Sequence, residues 1–139
     1  MSVDLGKIVV VESPYNAETK EEIAKNIIYA RACVSDALHR GEIPLASHLF
    51  YTQPGVLDDS VPEERQLGID AGLSVGLIAS KTVVYVDRGI SRGMQYGIEN
   101  AKKAGRPIEE RLLGKNWYDN FLSRVNNHSQ RDVWELSCK

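Results

Sequence analysis

Residues 82–101 read Thr-Val-Val-Tyr-Val-Asp-Arg-Gly-Ile-Ser-Arg-Gly-Met-Gln-Tyr-Gly-Ile-Glu-Asn-Ala, and this stretch decides the fold. Its apolar, β-branched start over 82–86 predicts a strand buried on both faces, and Asp87 to Ile90 predict a turn. Ser91 is expected to cap a helix. The buried stripe of that helix is expected to comprise Met94, Ile98 and Ala101. At such a strand-to-helix turn, α/β folds place backbone N–H groups against a phosphate or a sugar.

The same alternation of strand and helix extends toward the N-terminus. Lys7–Glu12 predicts the first strand, and Thr19 with Glu22 predicts a capping box for a helix that Gly41 ends. Ile43–Ala46 predicts a second strand, placed at a strand start or a sheet edge by Pro44.

A further helix is predicted to begin at Ser60, with Pro62 in its first turn, and to run to about Ile78. Its inner face is expected to comprise Leu67, Ala71, Ser74 and Leu77 or Ile78. The segment from Ser47 to Asp59 lacks periodicity and predicts a loop that faces a ligand. Pro107–Leu113 is a weak fourth strand.

Strands that alternate with helices of this length predict an α/β fold. We expect a three-layer, doubly wound, mostly parallel sheet of four to five strands, with helices on both faces and a C-terminal helical extension. The α/β domain is predicted over residues 1–114. Residues 115–139 form the extension, which belongs either to the same fold or to a subunit interface.

Composition and charge exclude several classes of protein. A net charge of −2 and a pI near 5.9 give no basic field for long nucleic acid, and no apolar run reaches the roughly 18 residues of a membrane span. Cys33 and Cys138 form neither a disulfide framework nor a metal-ligand spacing. We therefore expect a cytoplasmic protein with free thiols, no metal and no cofactor.

Three loops follow predicted strands and, in a parallel sheet, would emerge at one edge around one small ligand. Each polar group in them also has a structural alternative: Ser91 is a helix cap or a ligand contact, His48 a hydrogen-bonding group or an acid–base group, and Arg65 a surface charge or a phosphate partner. The candidate ligand-binding residues are Ser13, Pro14, Tyr15, Asn16, His48, Tyr51, Arg65, Asp87, Arg88, Ser91, Arg92, Gly93, Met94 and Gly97.

Three short motifs carry a family resemblance, namely Ser13-Pro14-Tyr15, Pro44 to His48, and Ile90-Ser91-Arg92-Gly93-Met94. With them the chain resembles the nucleoside 2-deoxyribosyltransferase-like superfamily, especially its small members in phage genomes. The resemblance implies action on the N-glycosidic bond of deoxynucleosides or their monophosphates, through an attacking glutamate, an assisting aspartate and a serine that holds a phosphate or hydroxyl. It also implies a homodimer or higher homo-oligomer, in a bacterial or phage-infected host cell.

The resemblance places the attacking glutamate four residues after Gly93, where this chain has Gly97. Glu99 lies two residues farther on, and a shift of two positions turns a helical side chain by about 200°. Ser80 and Lys81 stand where the aspartate would fall. Glu99 and Asp70 remain the candidate catalytic residues, with Asp87 as a further substitute.

These departures leave three hypotheses open. The first is a nucleotide-binding protein that has lost catalysis, with sequestration of a signalling nucleotide as one concrete role. The second is an active N-glycosidase or deoxyribosyltransferase. The third is a protein-interaction module that uses the aromatic segment from Trp117 to Val125, although such a stripe is more often core packing or a subunit interface.

Overall fold

The computed structural model describes residues 4–127. A 3-10 turn at Leu5–Lys7 precedes four strands and five helices in this part of the chain. In chain order these are β1 (Ile8–Glu12), α1 (Lys20–His39), β2 (Ile43–Leu45), α2 (Ser47–Phe50), α3 (Pro62–Gly76), β3 (Lys81–Tyr85), α4 (Arg92–Lys103), β4 (Ile108–Arg111) and α5 (Trp117–Asn126). Cys138 and the part of the predicted extension beyond residue 127 lie outside the described residues.

The four strands form one parallel sheet in the order β2-β1-β3-β4, which confirms the predicted fold class. Val10 is paired with Leu45 on one side and with Thr82 on the other. The chain therefore leaves β1 toward one edge of the sheet and returns to β3 on the opposite side of β1. In doubly wound folds such a reversal opens a crevice at the carboxyl ends of the two strands.

Helices cover both faces of the sheet. On one face Val11 and Tyr85 pack with Tyr29 of α1, and Trp117 of α5 meets the Tyr29 ring edge-on at a centroid distance of 5.0 Å. The aromatic stripe of α5 thus contributes to packing against α1. Strand side chains alternate between faces, so Val10 points to the opposite face, where Gly76 of α3 packs against it.

Sequence signals at the ends of α1 and α4 are confirmed. The Thr19 hydroxyl accepts a hydrogen bond from the Glu22 N–H at 3.2 Å, and Gly41 follows α1 with a φ of +83°. The Ser91 hydroxyl accepts one from the Met94 N–H at 3.2 Å. These local bonds fix where both helices begin, and therefore where the loops at the carboxyl edge end.

An ionic network around the buried Arg111 holds the edge strand β4. Two guanidinium nitrogens of Arg111 each donate to a carboxylate oxygen of Glu42 at 2.6 Å, and the Arg111 Nε donates to Glu109. Lys81 pairs with both carboxylates. Hydrogen bonds from Arg111 and Lys81 lower the pKa of Glu109 to about 2. The pairing explains why a strand as charged as β4 can lie against a core.

The predicted inner face of α3 is wrong. All of its proposed members except Ala71 are exposed: Leu67 by 61%, Leu77 by 71% and Ile78 by 59%, together with Ser74. The helix instead turns three glycines inward, where they approach α2, its following loop and β1. Gly68 lies against Leu57, Gly72 against Ser47 and Gly76 against Val10. This helix packs through the close approach of its backbone rather than through large apolar side chains.

Two further expectations about this region are wrong. Ser60 does not cap α3: the N-cap is Val61, with no side-chain hydrogen bond, and the Ser60 hydroxyl donates to Asp58 at 2.6 Å. The predicted loop also begins as a short helix, α2. Among residues 4–127, no helix combines the length and the apolar character that crossing a membrane requires.

Gly72→Ala should test the seating of α3. An added Cβ would lie 3.0 Å from the Ser47 Cβ, so we expect a net loss of about 1 kcal/mol in the free energy of unfolding, despite the gain in helix propensity. Chemical denaturation measures the change. Ser74→Ala, at an exposed position of the same helix, is the control. A Gly72→Ala variant as stable as that control would contradict the close packing.

Candidate functional site

The candidate site lies at the carboxyl edge of the sheet, between β1 and β3, where the chain leaves these two strands toward opposite sides of the sheet. Ser13 to Asn16 follow β1, Ser47 to Tyr51 follow β2, and Asp87 to Gly93 follow β3. Because all strands are parallel, the three loops emerge at the same edge, as the sequence predicts. The crevice between the first and third loops is the position at which doubly wound folds bind ligands.

Ser13 and His48 are in direct contact. The Ser13 Oγ and the His48 Nε2 lie 2.8 Å apart and share a hydrogen bond that joins the end of β1 to α2. Ser13 is buried. Burial lowers the pKa of His48 to about 4, so the imidazole is neutral at physiological pH. A neutral imidazole can exchange a hydrogen bond with the serine but supplies no positive charge to a ligand.

Glu12 is the last residue of β1 and directly precedes Ser13 in the sequence. Its side chain faces α4. Its carboxyl rests on the backbone of Gly97: a Cβ built on that glycine would lie 2.5 Å from the Glu12 Cδ and 2.8 Å from its Oε2. No real Cβ makes contacts this short. The Glu12 carboxyl therefore fills the space that a side chain at position 97 would need.

The Glu12 carboxyl has no partner within the described part of the chain. It accepts no hydrogen bond and forms no ion pair, although the residue keeps some contact with solvent. Burial raises its pKa to about 8, and the charge of Arg106 opposes the rise. Arg106 does not bond to it, since its Nε donates to the Thr82 hydroxyl and its Nη1 to the Gly76 carbonyl, both at 2.9 Å.

Asn26, a buried residue of α1, ties together the loops on both sides of the crevice. Its side-chain amide donates to the Tyr15 carbonyl at 3.0 Å and accepts from the Arg88 Nε at 2.9 Å. Arg88 also pairs with Glu22 at 2.8 Å. The predicted ligand contact Arg88 thus has its guanidinium directed to α1.

Asp87 is likewise occupied by the protein. Its carboxylate accepts hydrogen bonds from the Leu113 N–H at 2.9 Å, the Gly114 N–H at 3.0 Å and the Tyr29 hydroxyl. Although burial opposes the shift, these bonds lower the pKa of Asp87. Asp87 anchors the segment before α5 to the end of β3, and its charge is met by N–H and O–H donors.

The first turn of α4 is the open part of the β3 loop. Arg92 and Gly93 are exposed, and a Cβ on Gly93 would meet nothing closer than the Ser91 Oγ at 3.9 Å. The first N–H groups of a helix have no partner within the helix. Met94, by contrast, is buried, and its sulfur accepts from the Ser91 N–H at 3.4 Å.

A cavity of about 410 Å³ lies next to the β1 loop. It is lined by Tyr15, Thr52, Pro54, Gly55, Val56, Leu57, Asp58, Asp59 and Glu64. Of the remaining predicted contacts, Tyr51 packs edge-on against Phe50 and Pro14 is buried, whereas Asn16 is exposed, with its side-chain oxygen accepting from the Ala17 N–H.

Three candidates point away from this edge or lie on outer helix surfaces. Glu99 is 63% exposed and lies 3.7 Å from Lys102, one turn along α4. Asp70 is exposed on α3, where it accepts a hydrogen bond from Gln66, and Arg65 is exposed on the same helix. Neither proposed catalytic carboxylate contacts the Ser13–His48 pair or Gly97.

Sequence reasoning missed Glu12, Asn26 and Arg106. Glu12 carried a signal, because it is an acidic residue at the end of an otherwise apolar strand. Asn26 and Arg106 carried none, since their partners are distant in the sequence. Within residues 4–127, no group of three or more His, Cys, Asp or Glu side chains is placed to hold a metal ion.

Ser13→Ala should show how far the pair at the end of β1 stabilises the fold. The variant leaves the His48 Nε2 without its partner, and we expect the free energy of unfolding to fall by about 1–2 kcal/mol at pH 7. Ser123→Ala, at an exposed position of α5, should change it little. Equal stability of the two variants would show that the contact contributes nothing.

Comparison with known proteins gives a family but no characterised relative. No curated protein and no solved structure matches the chain significantly. The profile of the family described as a domain of unknown function (DUF7768) matches residues 7–111, which include every strand and the crevice, and the chain belongs to this family.

Proposed function

We propose that the chain binds a small nucleotide or nucleoside-phosphate ligand in the crevice between β1 and β3, without cleaving it. The observation that carries this proposal is the Glu12 carboxyl, which lies at the end of β1 without a hydrogen-bond or ion-pair partner among residues 4–127. The carboxyl oxygens keep contact with solvent, since no side-chain oxygen of the described residues is both fully buried and unbonded, so they are open to a bond from a ligand. The presence of this carboxyl at the position where doubly wound folds bind ligands is explained if a ligand supplies the missing bond.

The first turn of α4 supports an anionic group in the ligand. Helix N-termini bind phosphates through free backbone N–H groups and the helix dipole, and Gly93 leaves this turn uncovered. Exposed Arg92 adds a positive charge there. A cavity lined by Tyr15, Thr52 and residues 54–59 offers room for a base, although none of its lining residues belongs to the β3 loop or α4. Sequestration of a signalling nucleotide is the role we propose for such a binder.

Binding can be tested by thermal shift and calorimetry with the 2′-deoxynucleosides, their 5′-monophosphates, adenosine, AMP and ADP. At a concentration 100 times its Kd, a ligand should stabilise the protein by about 2.7 kcal/mol. Gly93→Glu should abolish phosphate-dependent binding, since it places a carboxylate in the open turn, while acidic residues are tolerated in a first helical turn.

Ser123→Glu adds the same charge on α5, away from the crevice, and should bind like the unaltered protein. The proposal is rejected if no compound of the panel changes the melting temperature or gives a heat of binding. If Gly93→Glu binds phosphates as well as Ser123→Glu does, the placement of the anionic group is wrong.

The contact between Glu12 and Gly97 favours a second candidate, hydrolysis of an N-glycosidic bond. Such a reaction needs a carboxylate beside the anomeric carbon, where it stabilises an oxocarbenium-like state or attacks it. The resemblance assigns that carboxylate to position 97. In this chain the Glu12 carboxyl occupies the space next to position 97 and would supply the same group from β1.

A chromatographic assay decides between the two candidates. It measures the free base that the protein releases from deoxynucleosides and their monophosphates. If the chain is a hydrolase, Glu12→Gln should lower the rate at least 100-fold, because an amide cannot act as the carboxylate. Glu99→Gln and Asp70→Asn should leave the rate within about twofold. No release by the unaltered protein would leave the binder as the proposed function.

A further inference from the structure

We infer that the ligand presents an uncharged hydrogen-bond acceptor to Glu12, such as a carbonyl oxygen or an unprotonated ring nitrogen of a base, and that Glu12 donates to it as a neutral carboxylic acid. The inference rests on the proposed ligand site. It names the chemistry of the ligand group that enters beside Gly97, and it assigns Glu12 a role in specificity.

The geometry around Glu12 gives its ionised form no direct ion pair within the described residues. Arg106 is the charged group that acts on this carboxyl, and the Arg106 N–H groups at Nε and Nη1 are taken by Thr82 and the Gly76 carbonyl. From α4 the carboxyl meets the backbone of Gly97, which brings no charge. From β3, Val84 stands opposite Glu12 in the register.

The ionisation of Glu12 follows from these surroundings. A carboxyl that is desolvated and unpaired takes up a proton, and the pKa of Glu12 rises to about 8. A protonated carboxyl has one O–H donor, which an ionised one lacks. An acceptor on the ligand would meet this donor directly, whereas an ammonium group or a protonated ring nitrogen would first require Glu12 to release its proton.

Gly97 makes this arrangement possible. Any larger side chain at position 97 would overlap the carboxyl, which must then move toward solvent or into the crevice. Glycine lowers helix propensity at this position, so the residue is kept at a cost to α4. We interpret Gly97 as the residue that leaves room for a seated Glu12.

The test uses whichever nucleoside or nucleotide of the panel binds, with its Kd measured by calorimetry between pH 6 and pH 9.5. Binding to the unaltered protein should weaken as the pH rises through about 8, approaching tenfold per pH unit above it. Glu12→Gln keeps an N–H donor, and should bind within a few-fold at pH 7 but lose that pH dependence.

Glu12→Leu should weaken binding at least tenfold, and Gly97→Ala should weaken it several-fold by displacing the carboxyl. Glu110→Gln changes an exposed carboxylate of β4 and serves as the matched control. If the Glu12→Leu variant does not fold, the Glu12→Gln and Gly97→Ala variants decide whether Glu12 contacts the ligand.

The two failures are distinguishable. If no compound of the panel binds, the proposed function fails and this inference is overturned with it. If a compound binds with the same Kd and pH dependence in the unaltered protein and in Glu12→Gln, the ligand site stands and the role of Glu12 is overturned. Tighter binding above pH 8 would also overturn it, since it would show that the ligand pairs with the carboxylate.

The ligand-free protein gives an independent reading of the same group. Protonated Glu12 favours the folded state because its pKa rises from 4.5 to about 8 on folding, and this contribution is lost as the pH rises across that range. The stability of the unaltered protein relative to Glu12→Gln should therefore decline from pH 5 to pH 8 and level off above. A rise over that range would overturn the neutral acid.

Discussion

The contact between the Glu12 carboxyl and the backbone of Gly97 sets the geometry of the carboxyl edge. Glu12 is the last residue of β1. Helix α4 passes so close to its carboxyl that position 97 has no room for a side chain larger than that of glycine. The conformation that the carboxyl adopts therefore depends on how α4 passes over β1. Folding alone does not favour such a contact, because it takes an acid partly out of water without a partner among the described residues and places glycine within a helix. Features that cost stability without a packing gain are characteristic of functional sites.

Much of the fold could be predicted because local signals and the global arrangement agree. The apolar runs at β1 and β3 read as strands covered on both faces, and the caps at Thr19 and Ser91 were readable from residue type and spacing. Parallel neighbours β1 and β2 also bring their following loops to the same edge, as predicted, and the direct contact between Ser13 and His48 is what the structure adds.

Helix α3 could not be predicted to the same depth, and the reason is physical. Its apolar residues recur at helical spacing, which normally marks a buried face. In this helix the glycines at 68, 72 and 76 recur at the same spacing and allow a closer approach than leucine does. Periodicity identifies two faces of α3 but does not say which of them packs against the rest of the protein.

Glu12 was missed for a related reason. Counting four residues along α4 from Gly93 leads to Gly97, so the sequence shows that a carboxylate is missing from this helix. It does not show that a side chain of a neighbouring strand fills the space next to position 97. That relation depends on how α4 crosses β1, which no spacing within either element reports. The available signals were an acid that ends the apolar run before Ser13 and a glycine inside a helix, and neither connects the two positions.

The distribution of charge at the carboxyl edge bears on how a ligand would be recognised. Asp87 and Arg88 carry opposite charges next to the crevice, yet Asp87 receives donors from Tyr29 and the segment before α5, while Arg88 is held by α1. They hold the loops in place, and their charges are already compensated. Burial lowers the pKa of His48 and raises that of Glu12, which favours the uncharged form of each. The groups left for a ligand are therefore hydrogen-bonding groups and the first turn of α4, with Arg92 as an exposed cation beside them. A site built in this way distinguishes ligands by the position and direction of donors and acceptors more than by net charge, and selection of this kind leaves unmatched analogues with unsatisfied polar groups.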